Sequence, residues 1–184
     1  MKQLIYLSLI SSLCMIGFGC TQTDGDNKVE ALKAQYTKLV EAGKSGEAET
    51  QVVLDSLAAA YEREAPSQAD STSQAEYYFL AAEIYETTSR KITKALNLYD
   101  KILIEYPNSE RAPAALFHKG FLNNQIKNYE AAKAAYELFI EKYPESDLVD
   151  DAEYEIKYMG LSDEELFEII RKNADSLKVG DTLQ

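Results

Sequence analysis

The sequence predicts an all-α chain built from paired helices. Three observations carry the prediction. From Lys28 onward apolar residues recur three and four apart, with almost no alternation of period two. The stretch Ala95–Ser109 returns as Ala132–Ser146, 37 positions later. The breakers Gly43, Pro66, Pro107 and Pro144 fall where the periodic runs end. A chain of 184 residues, 46% of them hydrophobic, is enough for one domain and too little for two full-sized ones.

The elements follow in order. Residues 1–19 carry one charge, Lys2, then an apolar run from Leu4 to Phe18, with Gly17 and Gly19 before Cys20. That is the pattern of a lipoprotein signal peptide, with a core too short for a transmembrane helix. The segment resembles a lipobox, with Gly17 in place of the usual leucine and Phe18 bulkier than the usual small residue. Cys20 is then the lipid-bearing first residue of the mature chain. Three acyl chains, palmitate among them, at about 0.8 kcal/mol per buried CH2 give a stable membrane anchor. Residues 20–27, the lipidated cysteine and TQTDGDN, hold nothing apolar after Cys20 and read as a tether.

Residues 28–66 form an N-terminal helical hairpin. Val29, Leu32, Tyr36 and Leu39 make the first stripe, GKSG the turn, and Val53, Leu57, Ala60 and Tyr61 the second stripe. The polar run PSQADSTS is a long loop. Repeats occupy residues 74–160. Ser162 and Glu165 form a capping box that opens a C-terminal helix over 161–173, with Leu166, Ile169 and Ile170 on the face that covers the end of the stack. Residues 174–184 read as a loose tail.

Loss of residues 1–19 removes Lys2 alone among the charged residues and takes the net charge from −12 to −13. Such a surface disfavours nucleic acid and bare anionic headgroups as partners. Cys14 leaves with the signal, so no disulfide forms and helix packing must supply the stability.

The sequence holds no catalytic constellation. Gly43-Lys44-Ser45 spells the end of a phosphate loop, but Lys38 stands where its first glycine belongs, and the residues before it are helical. His118, the one histidine, reads as a packing residue. Asp147, Asp150, Asp151 and Glu153 lack the spacing of a calcium loop and suit a helix N-terminus. DGDN has Gln35 where a bidentate carboxylate would be required. No enzyme activity, metal, cofactor or small-molecule substrate is expected.

The internal repeat carries a resemblance. Ala95, Tyr99, Ile102, Tyr106 and Pro107 recur as Ala132, Tyr136, Phe139, Tyr143 and Pro144, and Ala115 and Phe117 recur in part as Ala152 and Tyr154. The order Leu116, Gly120, Ala132, Tyr136, Pro144, with Tyr129 opening the second helix, resembles the tetratricopeptide repeat. Glu83 in place of a small residue, and Lys119 and Asn123 in place of large apolar ones, depart from it and imply looser inner packing. The resemblance implies a short right-handed solenoid of antiparallel helix pairs, with seven to eight helices. The period of 37 and the YPxS endings are similar to repeats of outer-membrane lipoproteins of the assembly and Tol-Pal-associated groups. By that likeness the chain is an anchored scaffold of the cell envelope, in the outer membrane and facing the periplasm, that binds a protein partner. The alternative is a constitutive structural subunit of an assembly or envelope-maintenance complex.

The resemblance also places the inward positions of the repeats at Tyr77, Leu80 and Ile84, then Phe117, Phe121 and Asn124, then Tyr154 and Tyr158. Phe117 and Phe121 stand where a peptide-carboxylate clamp of this family carries lysine and asparagine, which favours an apolar or aromatic partner segment. Either these rings form a partner groove or they pack repeat against repeat.

Overall fold

The structure, a computed structural model, describes residues 24–87, 91–162 and 164–171, which form α-helices and a 3-10 turn. Cys20 and the expected signal and tail lie outside the described residues. Helices α1 (Asp24–Glu41) and α2 (Ala48–Glu64) make the first hairpin, followed by a 3-10 turn at Ala65–Ser67. Gly43 closes α1 at φ 76. Its N–H reaches Val40 O at 2.9 Å and the Lys44 N–H reaches Leu39 O at 2.9 Å, a helix ending that requires a left-handed residue at Gly43. The would-be phosphate loop is therefore a helix stop.

Two boundaries differ from the sequence expectation. Helix α1 begins at Asp24, inside the expected tether 20–27. Polarity alone made Asp24–Asn27 read as coil, yet the first turn of a helix accepts polar residues and nothing there breaks one. Likewise α3 (Ser71–Thr87) takes the last three residues of PSQADSTS. The Asp70 carboxylate accepts the Ser73 N–H at 2.8 Å, which caps the helix within the run that reads as loop.

From there the chain repeats. Helix α4 (Ile92–Glu105) and α6 (Tyr129–Lys142) start and end 37 residues apart, and α5 (Ala112–Gln125) and α7 (Val149–Tyr158) start 37 apart. The joints match bond for bond. Tyr106 N–H donates to Ile102 O and Tyr143 N–H to Phe139 O, both at 2.9 Å, and Ser109 and Ser146 N–H donate to the carbonyls of Tyr106 and Tyr143, both at 3.0 Å. Pro107 and Pro144 have no N–H to continue a helix, so the YPxS segments set the same turn twice. Asp150 and Asp151 lie in the first turn of α7, where carboxylates favour the helix start.

One apolar core joins α1 to α5 and holds Tyr85, Tyr99 and Ile102; a second joins α5, α6 and α7 around Tyr136 and Phe139. Leu103 and Phe121 pack against both. Helix α6 approaches α5 closely because residue 120 has no side chain: a Cβ there would lie 2.8 Å from the Tyr136 ring. Lys119 and Asn123 do not loosen this packing. Lys119 Nζ turns outward to Asp100 Oδ1 at 2.6 Å. Asn123, 6% exposed, donates to Lys119 O at 2.8 Å and accepts from Asn128 Nδ2 at 3.2 Å, which holds the turn where Lys127 sits at φ 61.

The last helix, α8 (164–171), opens with the expected capping box. Ser162 N–H donates to Glu165 Oε2 at 2.8 Å and Glu165 N–H to Ser162 Oγ at 3.2 Å. Its expected buried face is a correction: Ile170 is 55% exposed and Leu166 and Ile169 are half-buried. The position 37 beyond the small Ala132 is Ile169, so this helix cannot close down as α6 does. Among the described residues no helix is long and apolar enough to cross a membrane.

Gly120→Ala should lower the unfolding free energy by about 1 to 3 kcal/mol, because overpacking against Tyr136 exceeds the gain of about 1 kcal/mol in helix propensity. Urea unfolding followed by circular dichroism checks this; an unchanged or higher midpoint would show that the contact is slack.

Candidate interaction groove

The eight inward positions fall on α3, α5 and α7, the first helix of each pair, and within each helix they lie three or four residues apart. Their burial grades along the stack. Tyr77, Leu80 and Ile84 are half-buried against the first core, and the Tyr77 ring stands edge-on to Tyr61 with centroids 5.2 Å apart. Phe117 is drawn toward α6, with centroids 5.4 Å from Tyr136 and 5.6 Å from Phe139. Phe121 bridges the two cores. Asn124 Nδ2 donates to Glu155 Oε2 of α7 at 2.8 Å. Tyr154 is 51% exposed and lies against Tyr158, centroids 4.4 Å apart. The row is thus tied into the core at α3 and α5 and open at α7.

An ionic seam that the sequence reading missed joins α3 to α5. Glu86, whose side chain is 6% exposed, accepts the Tyr99 hydroxyl at 2.7 Å and lies 2.9 Å from His118 Nδ1. Arg111 meets Glu76 with two N–H groups, Nη2 to Oε1 at 2.7 Å, and its guanidinium lies 4.8 Å from the Phe79 ring centre. His118 packs between Phe79 and Tyr99 with centroids at 5.7 and 5.4 Å, so its packing role holds and an ion-pairing role is added. Partners 32 and 35 residues apart with no shared motif left no signal, beyond Glu86 and His118 being polar where the next repeat has Asn123 and Glu155.

Burial opposes the charge on His118, but the hydrogen bond to Glu86 and the carboxylates of Glu86 and Glu83 outweigh it, so its pKa is raised. Burial likewise raises Glu83, against the lowering pull of His118 and Arg111. Among the described residues no hydrogen bond or ion pair holds the Glu83 carboxylate, since His118 and Arg111 are committed to Glu86 and Glu76. The tyrosines Tyr99 and Tyr136 are pushed well above their usual range by burial and by nearby carboxylates. A shallow cavity of about 250 Å³ at the start of α3 and α5 is lined by Thr72, Glu76, Ser109, Glu110 and Arg111, away from the aromatic row. No group of three or more histidine, cysteine, aspartate or glutamate side chains able to hold a metal occurs among the described residues.

The tetratricopeptide repeat family matches residues 76–109 and 114–146, which are the pairs α3–α4 and α5–α6 with their YPxS ends. The chain contains a tetratricopeptide-repeat domain. Repeats of this family are non-catalytic scaffolds for protein–protein contacts. No curated protein and no solved structure matches the chain.

His118→Gln removes a group whose folded pKa lies above its unfolded value near 6.5. The ionic part of its stabilisation is full below that value and lost as pH rises through the folded pKa. The melting-temperature gap between parent and variant should therefore be widest below the unfolded value and narrow as pH rises through the folded pKa above it; a gap that is flat or widens with pH would show that the Glu86 contact carries no charge.

Proposed function

We propose that this protein is a lipid-anchored docking module of a Gram-negative cell envelope. It is held in the outer membrane through Cys20, faces the periplasm, and takes a partner protein along the row of α3, α5 and α7. Support for the anchor comes from sequence: Cys20 follows an apolar run ended by Gly17 and Gly19. Only residues 21–23 separate it from α1, so a lipid there would hold the solenoid close to the bilayer, within about 15 Å. The observation that carries the docking reading is the open end of the row. Tyr154, at 51% exposed, and Tyr158 present neighbouring rings, tilted 49° to one another, on one helix, which suits an interface anchor.

Two experiments test the two halves. Cys20→Ser should move the protein from the outer-membrane pellet to the soluble fraction and abolish labelling by a fatty-acid probe; quantitative pelleting with label retained would sink the anchor. For the row, Tyr154→Ala should cost less than about 1.5 kcal/mol of stability, the scale of one aromatic pair, yet about 2 kcal/mol of affinity for a partner crosslinked in intact cells. Phe121→Ala, which bridges the cores, should cost about 2 to 4 kcal/mol of stability. Full partner capture by folded Tyr154→Ala would show that the row is packing alone.

A further inference from the structure

The third helix pair, α7 with α8, is not closed as the second is. Helix α7 buries Ala152 alone, and among the described residues no side chain of α8 joins either apolar core. Two sequence positions account for this. Lys157 stands 37 beyond Gly120, and Ile169 stands 37 beyond Ala132. In the second repeat these places are small because α5 and α6 come close: a Cβ at Gly120 would lie 2.8 Å from the Tyr136 ring. A lysine and an isoleucine in their stead keep α8 from closing on the α7 of its own chain.

Each helix is left with an apolar surface. On α7, Tyr154 and Tyr158 stand four apart, on the side away from Ala152 and Ile156, which face the second core. On α8, Phe167 and Ile170 stand three apart and are exposed. The charges along the two helices run in the same order. Helix α7 starts with Asp150 and Asp151 and carries Lys157 in its last turn, 5.1 Å from the Tyr158 ring centre. Helix α8 starts with Glu164 and Glu165 and ends with Arg171, which meets Glu168 of its own helix in an exposed pair that costs little to exchange. Laid antiparallel, α7 and α8 oppose Lys157 to Glu164, and Asp150 and Asp151 to Arg171. A parallel arrangement would set acid on acid.

We propose that the open α7 end of the row is covered by a second copy of this chain, with α8 of each copy lying antiparallel on α7 of the other and Phe167 and Ile170 on Tyr154 and Tyr158. This rests on the docking reading and names the occupant of its open end. Both surfaces belong to one chain, so a two-fold axis uses each of them twice and closes the assembly. The other copy's α8 is not tied to this α7 by the turn at Gly160. It is free to shift along the helix until Lys157 reaches past the rings to Glu164 instead of standing between the two backbones. The net charge of −12 opposes bringing two copies together. That repulsion is spread over the molecule and screened beyond about 8 to 10 Å, whereas the opposed pairs lie in contact and fix the register.

The test is sedimentation equilibrium of the mature chain, residues 20–184 with Cys20→Ser. The parent should be a dimer at about 100 μM and a monomer at about 1 μM. Phe167→Glu should stay monomeric at about 100 μM. Because that ring is 76% exposed in the single chain, the variant should melt with the parent at about 1 μM, which separates a lost interface from a lost fold. Lys157→Glu and Glu164→Lys should each weaken the dimer about tenfold, and the two together should restore it, since they exchange the ends of one pair. A parent that is monomeric at about 100 μM overturns the inference. So does a dimer that Phe167→Glu leaves intact, or a double variant no tighter than the single ones. If the parent is monomeric and Tyr154→Ala still releases a crosslinked protein of another sequence, the docking reading stands without the second copy. If Tyr154→Ala keeps that protein as well, both readings fall.

Discussion

A tyrosine ring buried between the two helices of each repeat is the constraint on which the rest of the structure depends. Tyr99 and Tyr136 are both 0% exposed. Each needs a small residue close by, Ala95 and Ala132 on its own helix and, for Tyr136, Gly120 on the facing one. An aromatic side chain fully buried in this way contributes about 1.5 to 3 kcal/mol by removal from water alone. No helix of this length would hold its shape in isolation, so the pairs exist because the rings hold them together. The stack is then a chain of neighbour contacts, with two cores that meet at Leu103 and Phe121.

The same tyrosine meets two different surroundings. The Tyr99 hydroxyl donates to Glu86 at 2.7 Å, and Glu86 in turn holds His118 of the next helix, so ring and ion pair lock α3, α4 and α5 together. The buried Tyr136 hydroxyl has no hydrogen-bond partner among the described residues. Asn123 stands where Glu86 stands one repeat earlier, and its amide is turned to Lys119 and Asn128, which leaves nothing for the hydroxyl. A buried hydroxyl without a partner costs about 1 to 3 kcal/mol. The second repeat thus lacks the hydroxyl anchor of the first, and the helix beyond it is held by fewer large side chains: Ala152 is the one buried residue of α7.

What the sequence disclosed follows from what repeats in it. The shift of 37 fixed α4 against α6 and α5 against α7 because the ring, the small residues and the YPxS turn recur as residue types. The Ser162–Glu165 capping box was legible because it is local. Helix starts at Asp24 and Ser71 were not, since polar first turns look like loops until a cap such as Asp70 is seen to bond. The Glu86–His118 and Glu76–Arg111 pairs were invisible because their register is set by neighbouring helices and not by the chain between them. The exposed face of α8 was misread for a related reason: Leu166, Ile169 and Ile170 have the spacing of a buried stripe, but burial also needs a facing helix able to come close.

The aromatic row shows the same ambiguity at the level of function. A ring at an inward position can feed a groove or a core, and its spacing along its own helix is the same in both cases. What decides is the residue beside it on the next helix. With no side chain at Gly120, Tyr136 reaches far enough to take the Phe117 ring into the second core, and Phe121 is taken between the two cores. Among the described residues Tyr154 has no such neighbour, since α7 is followed by a helix that leaves Phe167 76% exposed and Ile170 55% exposed. Binding energy can be drawn from a side chain only to the extent that folding has not already used it. Among the described residues the α7 end of the row is therefore where the fold leaves apolar surface free, while the apolar side chains of α3 are already committed to the first core.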